Sequence, residues 1–296
     1  MSSRLVLRLT VGGYLLLFFL YLFGPLIIMS VTAFNTPGYP QAAPWEGFTL
    51  HWFDALFADE NMMRGLGNSI AIGIGVVCFS VPVGLAGAIV MTQIYPRARA
   101  LYYIVVVSPV LTPGIILGIS TIVFWDRFAS TVHAGYNSVF YNGFVLTVLG
   151  QSSFISAYCM LIILARLQRF DREQEEAALD LGASFTQVFR HILIPFLRPA
   201  LFSAAVLAFL TSFENYNTTT FTILAKTTLT TVLSGRIRVG MTPALSALAV
   251  CIIAVTLVGA VLYEILKRRE DARANIRART ARLAEQQALQ LVEQTV

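Results

Sequence analysis

The chain has 296 residues, of which 56% are hydrophobic and only 12% charged, with a mean hydropathy of +0.71. Soluble domains average about 25% charged residues, so this composition excludes an ordinary water-soluble globule and points into a bilayer. The net charge of +5 follows from an uneven distribution of basic residues and gives no reason to invoke nucleic acid.

A membrane-crossing helix needs about 20 mostly apolar residues. Six segments qualify, at about 9–33, 66–92, 100–125, 143–165, 197–222 and 245–267. The first follows only Arg4 and Arg8 and stays apolar through Met29. That run is too long for the core of a signal peptide, and no small-residue cleavage site follows it, so it reads as a retained anchor. The loop at about 34–64 holds Pro37, Gly38, Pro40, Pro44 and Gly47, which rule out a regular helix there. Its end, Leu50–Ala58, reads as a short interfacial helix with Trp52, Phe53 and Phe57 at headgroup level. Together with Trp45 these aromatics form either a docking surface for an external partner or an ordinary aromatic belt.

Pro82 in the second segment, and Pro109 and Pro113 in the third, are helix breakers tolerated where neighbours satisfy the freed carbonyls. Gly73, Gly75, Gly84 and Gly87 cluster beside the first of them. Gly114-x-x-x-Gly118 beside the others permits close helix approach, most simply within one subunit. No repeat of fixed period is visible, and the chain reads as one membrane domain.

With the N-terminus inside, sixteen of the 21 basic residues fall on inner loops and tails. Five (Arg64, Arg127, Lys226, Arg236 and Arg238) fall outside. This positive-inside bias puts both termini and the loop at about 166–198 in the cytoplasm. Cys78, Cys159 and Cys251 each lie within an apolar segment and read as small core residues, with no Cys-x-x-Cys spacing for a metal. His51, His133 and His191 are far apart and form no metal pair. Neither Lys226, after Ala225, nor Lys267, after Leu266, belongs to a Gly-Lys-Ser/Thr phosphate loop. No cofactor is expected, the chain is not read as an enzyme, and any ATP hydrolysis belongs to another subunit.

The loop at 166–198 is a polar island. Asp171, Arg172, Glu173, Glu175, Glu176, Asp180 and Arg190 crowd between nearly uncharged flanks, so the segment sits in water or against a soluble partner. The pattern predicts a short helix, a left-handed stop at Gly182, a second short helix, and a new element starting at Pro195. At the end of the fifth segment, Glu214 follows a wholly apolar run and leads into Asn215, Tyr216 and Asn217. A carboxylate at that depth usually faces a watery cavity; the alternative is a structural cap or an ion pair with Arg236 or Arg238. Gly235, Gly240 and Pro243 suggest a broken, re-entrant connection after it.

The polar island resembles the cytoplasmic Glu-Ala-Ala loop of ABC importer permeases. That pattern is E-A-A, three residues, G, nine residues, I-x-L-P, and Glu176, Ala177, Ala178, Gly182, Ile192 and Pro195 match its spacing, with Ile194 where the family has Leu. The resemblance covers about residues 10–268. It implies an all-α membrane protein of six transmembrane helices in the type I ABC importer permease fold, in the bacterial inner membrane. Glu176, Ala177, Ala178, Asp180, Gly182, Ile192 and Pro195 would then couple it to an ATPase. The implied partners are two ATP-binding cassette subunits, a second permease chain and an external solute-binding protein, in addition to membrane lipid. Residues 1–268 would form the permease domain, and the basic tail at 269–296 reads as a cytoplasmic extension, either a holder of anionic lipid or a solvated extension with no assigned role.

A narrower resemblance joins Ser212-Phe213-Glu214-Asn215 and the run Val239-Gly240 to Ala249 to the spermidine/putrescine branch. That branch has Ser-Phe-Asp-Asp at the first place and Asn where Ser246 stands. It implies a polyamine-like cation as solute, met by Glu214, Asn215, Tyr216 and Asn217. The alternatives are another small solute, such as an amino-acid-derived, phosphonate or opine-like compound, an ion-coupled secondary transporter, or a membrane scaffold without a transport role.

Overall fold

The computed structural model describes residues 3–265 and residue 268, with side chains from residue 7 onward. The extension expected at 269–296 lies outside them. The chain divides into two compact units, Asp59–Gly240 and the pair of segments Met1–Ala58 and Met241–Val296.

In the larger unit, α3 (Glu60–Gln93) starts at the N-cap Asp59, whose Oδ1 accepts from the backbone N–H groups of Asn61 and Met62 at 3.0 and 3.2 Å. The other carboxylate oxygen of Asp59 pairs with Arg236, so one side chain both caps a helix and ties in a segment 177 residues away. After α3 come α4 (Pro96–Leu111), α5 (Gly114–Thr131), α6 (Gly143–Leu167), α7 (Glu173–Asp180) and α8 (Phe185–Phe213). The short α9 (Thr219–Thr222) and α10 (Leu229–Val239) complete the unit.

The third apolar segment is not the single helix expected at 100–125. It is α4 and α5, bent by 103°. Pro113 removes a donor and pushes Thr112 to an extended backbone, φ −85° and ψ 133°, so the first helix has to stop. Pro109 inside α4 is tolerated because Ser108 Oγ donates to the Val105 carbonyl that the ring deprives of a partner.

The pair still makes one crossing, as packing register demonstrates. Gly75 lies against Val148, Gly84 against Cys159 and Gly87 against Met160, so α3 and α6 run parallel. The α4–α5 pair therefore carries the chain from the end of one to the start of the other. A Cβ added at Gly84 would lie 2.5 Å from that of Cys159, so only glycine lets these backbones approach so closely. In a bilayer the lipid is as apolar as the core, and such close packing supplies much of the cohesion. Ile72, Val76, Ala88, Ile155, Ile163, Leu197, Ala204 and Ala208 fill the seam of α3, α6 and α8.

Two boundaries differ from the sequence reading. The fifth segment ends at Phe213, not near 222, and it begins at Phe185. Within it Pro195 stands in the first turn of the α-helical part that begins at Ile194, where the sequence places a new element. The predicted second short helix is the first turns of α8, widened to a π-helical stretch over Phe189–Leu193 that accommodates the proline ring. Gly235 lies inside the regular helix α10, and the break falls only at Gly240, φ +148°.

The smaller unit holds α1 (Ser3–Thr32), α2 (His51–Ala58) and α11 (Pro243–Ile265). Thr32 Oγ1 donates to Ser246 Oγ at 2.7 Å, joining the end of α1 to the start of α11. The expected interfacial helix is present as α2, but Trp52 and Phe53 turn inward. Trp52 Nε1 donates to the Asn35 carbonyl at 2.8 Å and Phe53 packs on Phe34. Trp45 and Phe57 stay exposed. Of the three cysteines only Cys159 is a core residue; Cys78 is exposed and Cys251 half-buried.

Candidate functional site: a projecting loop and a polar turn

Three acids, Glu173, Glu175 and Glu176, occupy the first turn of α7, where the helix dipole favours them. The helix ends in a Schellman motif. Ala183 N–H donates to the Ala178 carbonyl at 3.0 Å and Gly182 N–H to that of Leu179 at 2.9 Å, with Gly182 at φ +86°. Ser184 then opens α8 with a capping box: its N–H donates to Gln187 Oε1 at 2.7 Å and its hydroxyl accepts from Gln187 N–H. Two motifs set back to back thus fix the corner at Gly182 without any tertiary contact.

The corner is presented outward. Glu176, Ala177, Asp180 and Gly182 are exposed and Ala178 is half-buried. Beside them stand Leu181, 90% exposed, and Phe185, 75% exposed. These two apolar residues were missed in the sequence; their signal is bulk flanking a glycine stop inside a polar island. Ile192 and Pro195 are half-buried along α8. The base is anchored by Arg166, whose guanidinium lies 4.3 Å from the Phe196 ring centroid, and by Phe170 against the same ring. Under the corner is a concavity of about 330 Å³, lined in part by Phe170, Phe185, Val188 and Phe189.

At the other end of α8 the chain turns through a polar network. Gln151 on α6, 1% exposed, accepts from the Ser212 hydroxyl through Oε1 at 2.5 Å and donates from Nε2 to Thr219 Oγ1 at 2.7 Å. Asn215 Oδ1 accepts from the N–H groups of Thr218 and Thr219 at 3.1 and 3.3 Å. Thr218 Oγ1 donates to the Gly114 carbonyl at 3.1 Å, and Thr222 Oγ1 to Thr147 Oγ1 at 3.0 Å. Gly114 and Gly118 present a bare backbone to Asn217, Thr218 and Phe221, so this pair does pack within the subunit.

The four residues expected here play different parts. Asn215 is half-buried and holds the N–H groups of Thr218 and Thr219 at the entry to α9, and Tyr216 is half-buried beside the hydroxyls of Ser234 and Thr220. Glu214 and Asn217 are exposed. The alternative ion pair of Glu214 is absent. Among the described residues the ion pairs are Arg64–Glu60, Arg236–Asp59 and Arg268–Glu264, so Arg236 is already committed and Arg238 pairs with no acid.

Residues 80–271 match the model of the family described as binding-protein-dependent transport system inner membrane component. The chain belongs to this family. It is 30% identical over 263 residues to the putrescine transport system permease protein PotI of Escherichia coli strain K12, covering 88% of this chain and 91% of that protein. Against the spermidine/putrescine transport system permease protein PotC of the same strain, identity is 24% over 88% of this chain and 95% of that one. A chain in the crystal structure of a bacterial ABC transporter involved in the import of the acidic polysaccharide alginate superposes with a TM-score of 0.68 at 16% identity. That match spans 90% of this chain and 96% of that one and speaks to the fold. The all-helical inner-membrane permease architecture inferred from the Glu-Ala-Ala loop is therefore this chain's architecture. The family match begins at Ser80 and includes the projecting corner and the polar turn.

Proposed function

We propose that this permease admits a polyamine through an ATP-driven importer, with α7 and the Gly182 corner as its contact to the motor. The solute reading is carried by the 30% identity to a putrescine permease across 88% of the chain. The unpaired, exposed carboxylate of Glu214 supports it, because a carboxylate offers an ammonium group a charge-assisted hydrogen bond. An external binding protein delivers the solute, and a second permease chain completes the pathway. Of the two ATP-binding cassette subunits of the transporter, one grips the corner of this chain through Glu176, Asp180, Leu181 and Phe185. Rigid capping on both sides of Gly182 suits a part that must transmit force without bending.

The test is competition in cells whose only polyamine uptake is this transporter, with its binding protein in excess. Putrescine and spermidine should block uptake of labelled putrescine, while amino acids, phosphonates and opines should not. Glu214→Gln should lower putrescine uptake about tenfold with assembly and basal ATPase kept. Equal uptake by Glu214→Gln removes that residue from the pathway, and block by a non-cationic solute overturns the substrate class.

A further inference from the structure

A second cavity, of about 220 Å³, shares only Phe170 with the concavity under the corner. It lies where the ends of α3 and α6 meet the start of α4, and residues of both polarities line it. Met91, Leu164 and Leu167 form an apolar wall, and Arg99, Arg172 and Gln168 a polar rim. Neither arginine has a carboxylate within 4 Å among the described residues. Arg172 makes only a 3.4 Å hydrogen bond to the Thr92 carbonyl. Glu175 lines an adjoining cavity together with Arg172 without pairing to it. The first turn of α4 has no acidic residue and no side-chain cap, so its positive dipole end adds to the two cations.

The position fixes the kind of anion. This is the end of the apolar helices that carries the basic residues, which the positive-inside rule places at the cytoplasmic headgroup level. A soluble anion needs no apolar wall, and a purely apolar ligand needs no arginine. Arginine matches phosphate oxygens with a two-pronged donor set, and basic pockets between helices on this side are suited to anionic headgroups. We propose that Arg99 and Arg172 hold the phosphate of an anionic phospholipid here, with its first methylenes against Met91, Leu164 and Leu167. The site is independent of which solute the permease carries. It would tie the lipid leaflet to the base of the loop that precedes α7.

The probe is dioleoyl phosphatidylglycerol against dioleoyl phosphatidylcholine, exchanged onto the full chain in mild detergent and read by native mass spectrometry. Phosphatidylglycerol should be retained preferentially, and each of Arg99→Gln and Arg172→Gln should lower that retention about fivefold. Arg169→Gln, an exposed arginine outside the cavity, should leave it unchanged; an equal loss there would reduce the effect to diffuse surface charge and overturn the site. Equal retention of the two lipids overturns it as well. Displacement by millimolar inorganic phosphate would make it a free-anion site and refute the lipid. Loss of ATPase-subunit binding in Arg99→Gln, with lipid retention intact, would assign the arginines to a protein contact instead. Melting midpoints matching the parent chain keep misfolding out of the comparison.

Discussion

Replacing Gly182 with valine isolates backbone conformation from packing. The glycine has φ +86°, and a Cβ added there would meet no atom within 4 Å. Steric crowding with the rest of the protein is therefore absent, and the cost is the left-handed backbone itself, on the order of 1–3 kcal/mol for a β-branched residue. If the chain relieves that strain by changing φ, it gives up the Ala183–Ala178 and Gly182–Leu179 hydrogen bonds, at about 0.5–1.5 kcal/mol each. Either route removes a similar amount, so the equilibrium constant between the native corner and its alternatives falls roughly tenfold, by the 1.4 kcal/mol per decade relation. No apolar span is touched, and insertion and assembly should be normal. In proteoliposomes carrying the complete transporter, ATP hydrolysed per solute imported should rise measurably above the parent ratio. Gly182→Asn is the control, because asparagine tolerates the left-handed region, and it should stay near the parent ratio. A valine variant with unchanged coupling, or an asparagine variant as impaired as valine, would refute this account of the corner.

Three further outcomes are expected. Leu181→Asp, at a side chain 90% exposed, should leave the melting midpoint unchanged while weakening co-purification of the ATPase subunit severalfold; undiminished co-purification would take the tip out of the contact. Gln151→Leu leaves the buried Ser212 hydroxyl without its partner, at about 1–3 kcal/mol, and takes from the Thr219 hydroxyl one of two partners, the other being Asn215 Oδ1, so thermal unfolding in detergent should move down by a few degrees, and an unchanged midpoint would contradict the buried network. In a background lacking Cys78, Cys159 and Cys251, a cysteine at Ser184 should react with an impermeant reagent only from the cytoplasm and one at Thr36 only from outside; labelling of both from one face would reverse the topology.

What the sequence discloses here depends on how far apart the partners are. The Gly182 corner is legible because everything that builds it, from Ala178 to Gln187, is local. The apolar runs are legible because bilayer thickness imposes their length. Pro113 announces a break, but its 103° bend depends on where α5 packs, and Gly114 and Gly118 reveal that only once Thr218 and Phe221 are beside them. Gln151 looks like a stray amide in an apolar run, since its partners are 61 and 68 residues away. Arg236 was a plausible mate for Glu214, and the choice of Asp59 at a separation of 177 residues is invisible to any local pattern. Asn215 was read for its polarity near a substrate. Its role as a cap for Thr218 and Thr219 is a local motif that its neighbouring threonines could have signalled.

ATP-dependent accumulation of labelled putrescine is the decisive measurement for an importer of this kind. Proteoliposomes would contain this chain with its partner permease and ATPase subunits, with the binding protein outside and ATP sealed on the nucleotide-binding side. The account predicts uptake that requires both the binding protein and hydrolysable ATP, and that persists when proton and sodium gradients are collapsed. Uptake that proceeds without ATP and stops with the ion gradient would make this chain a secondary transporter and contradict the account.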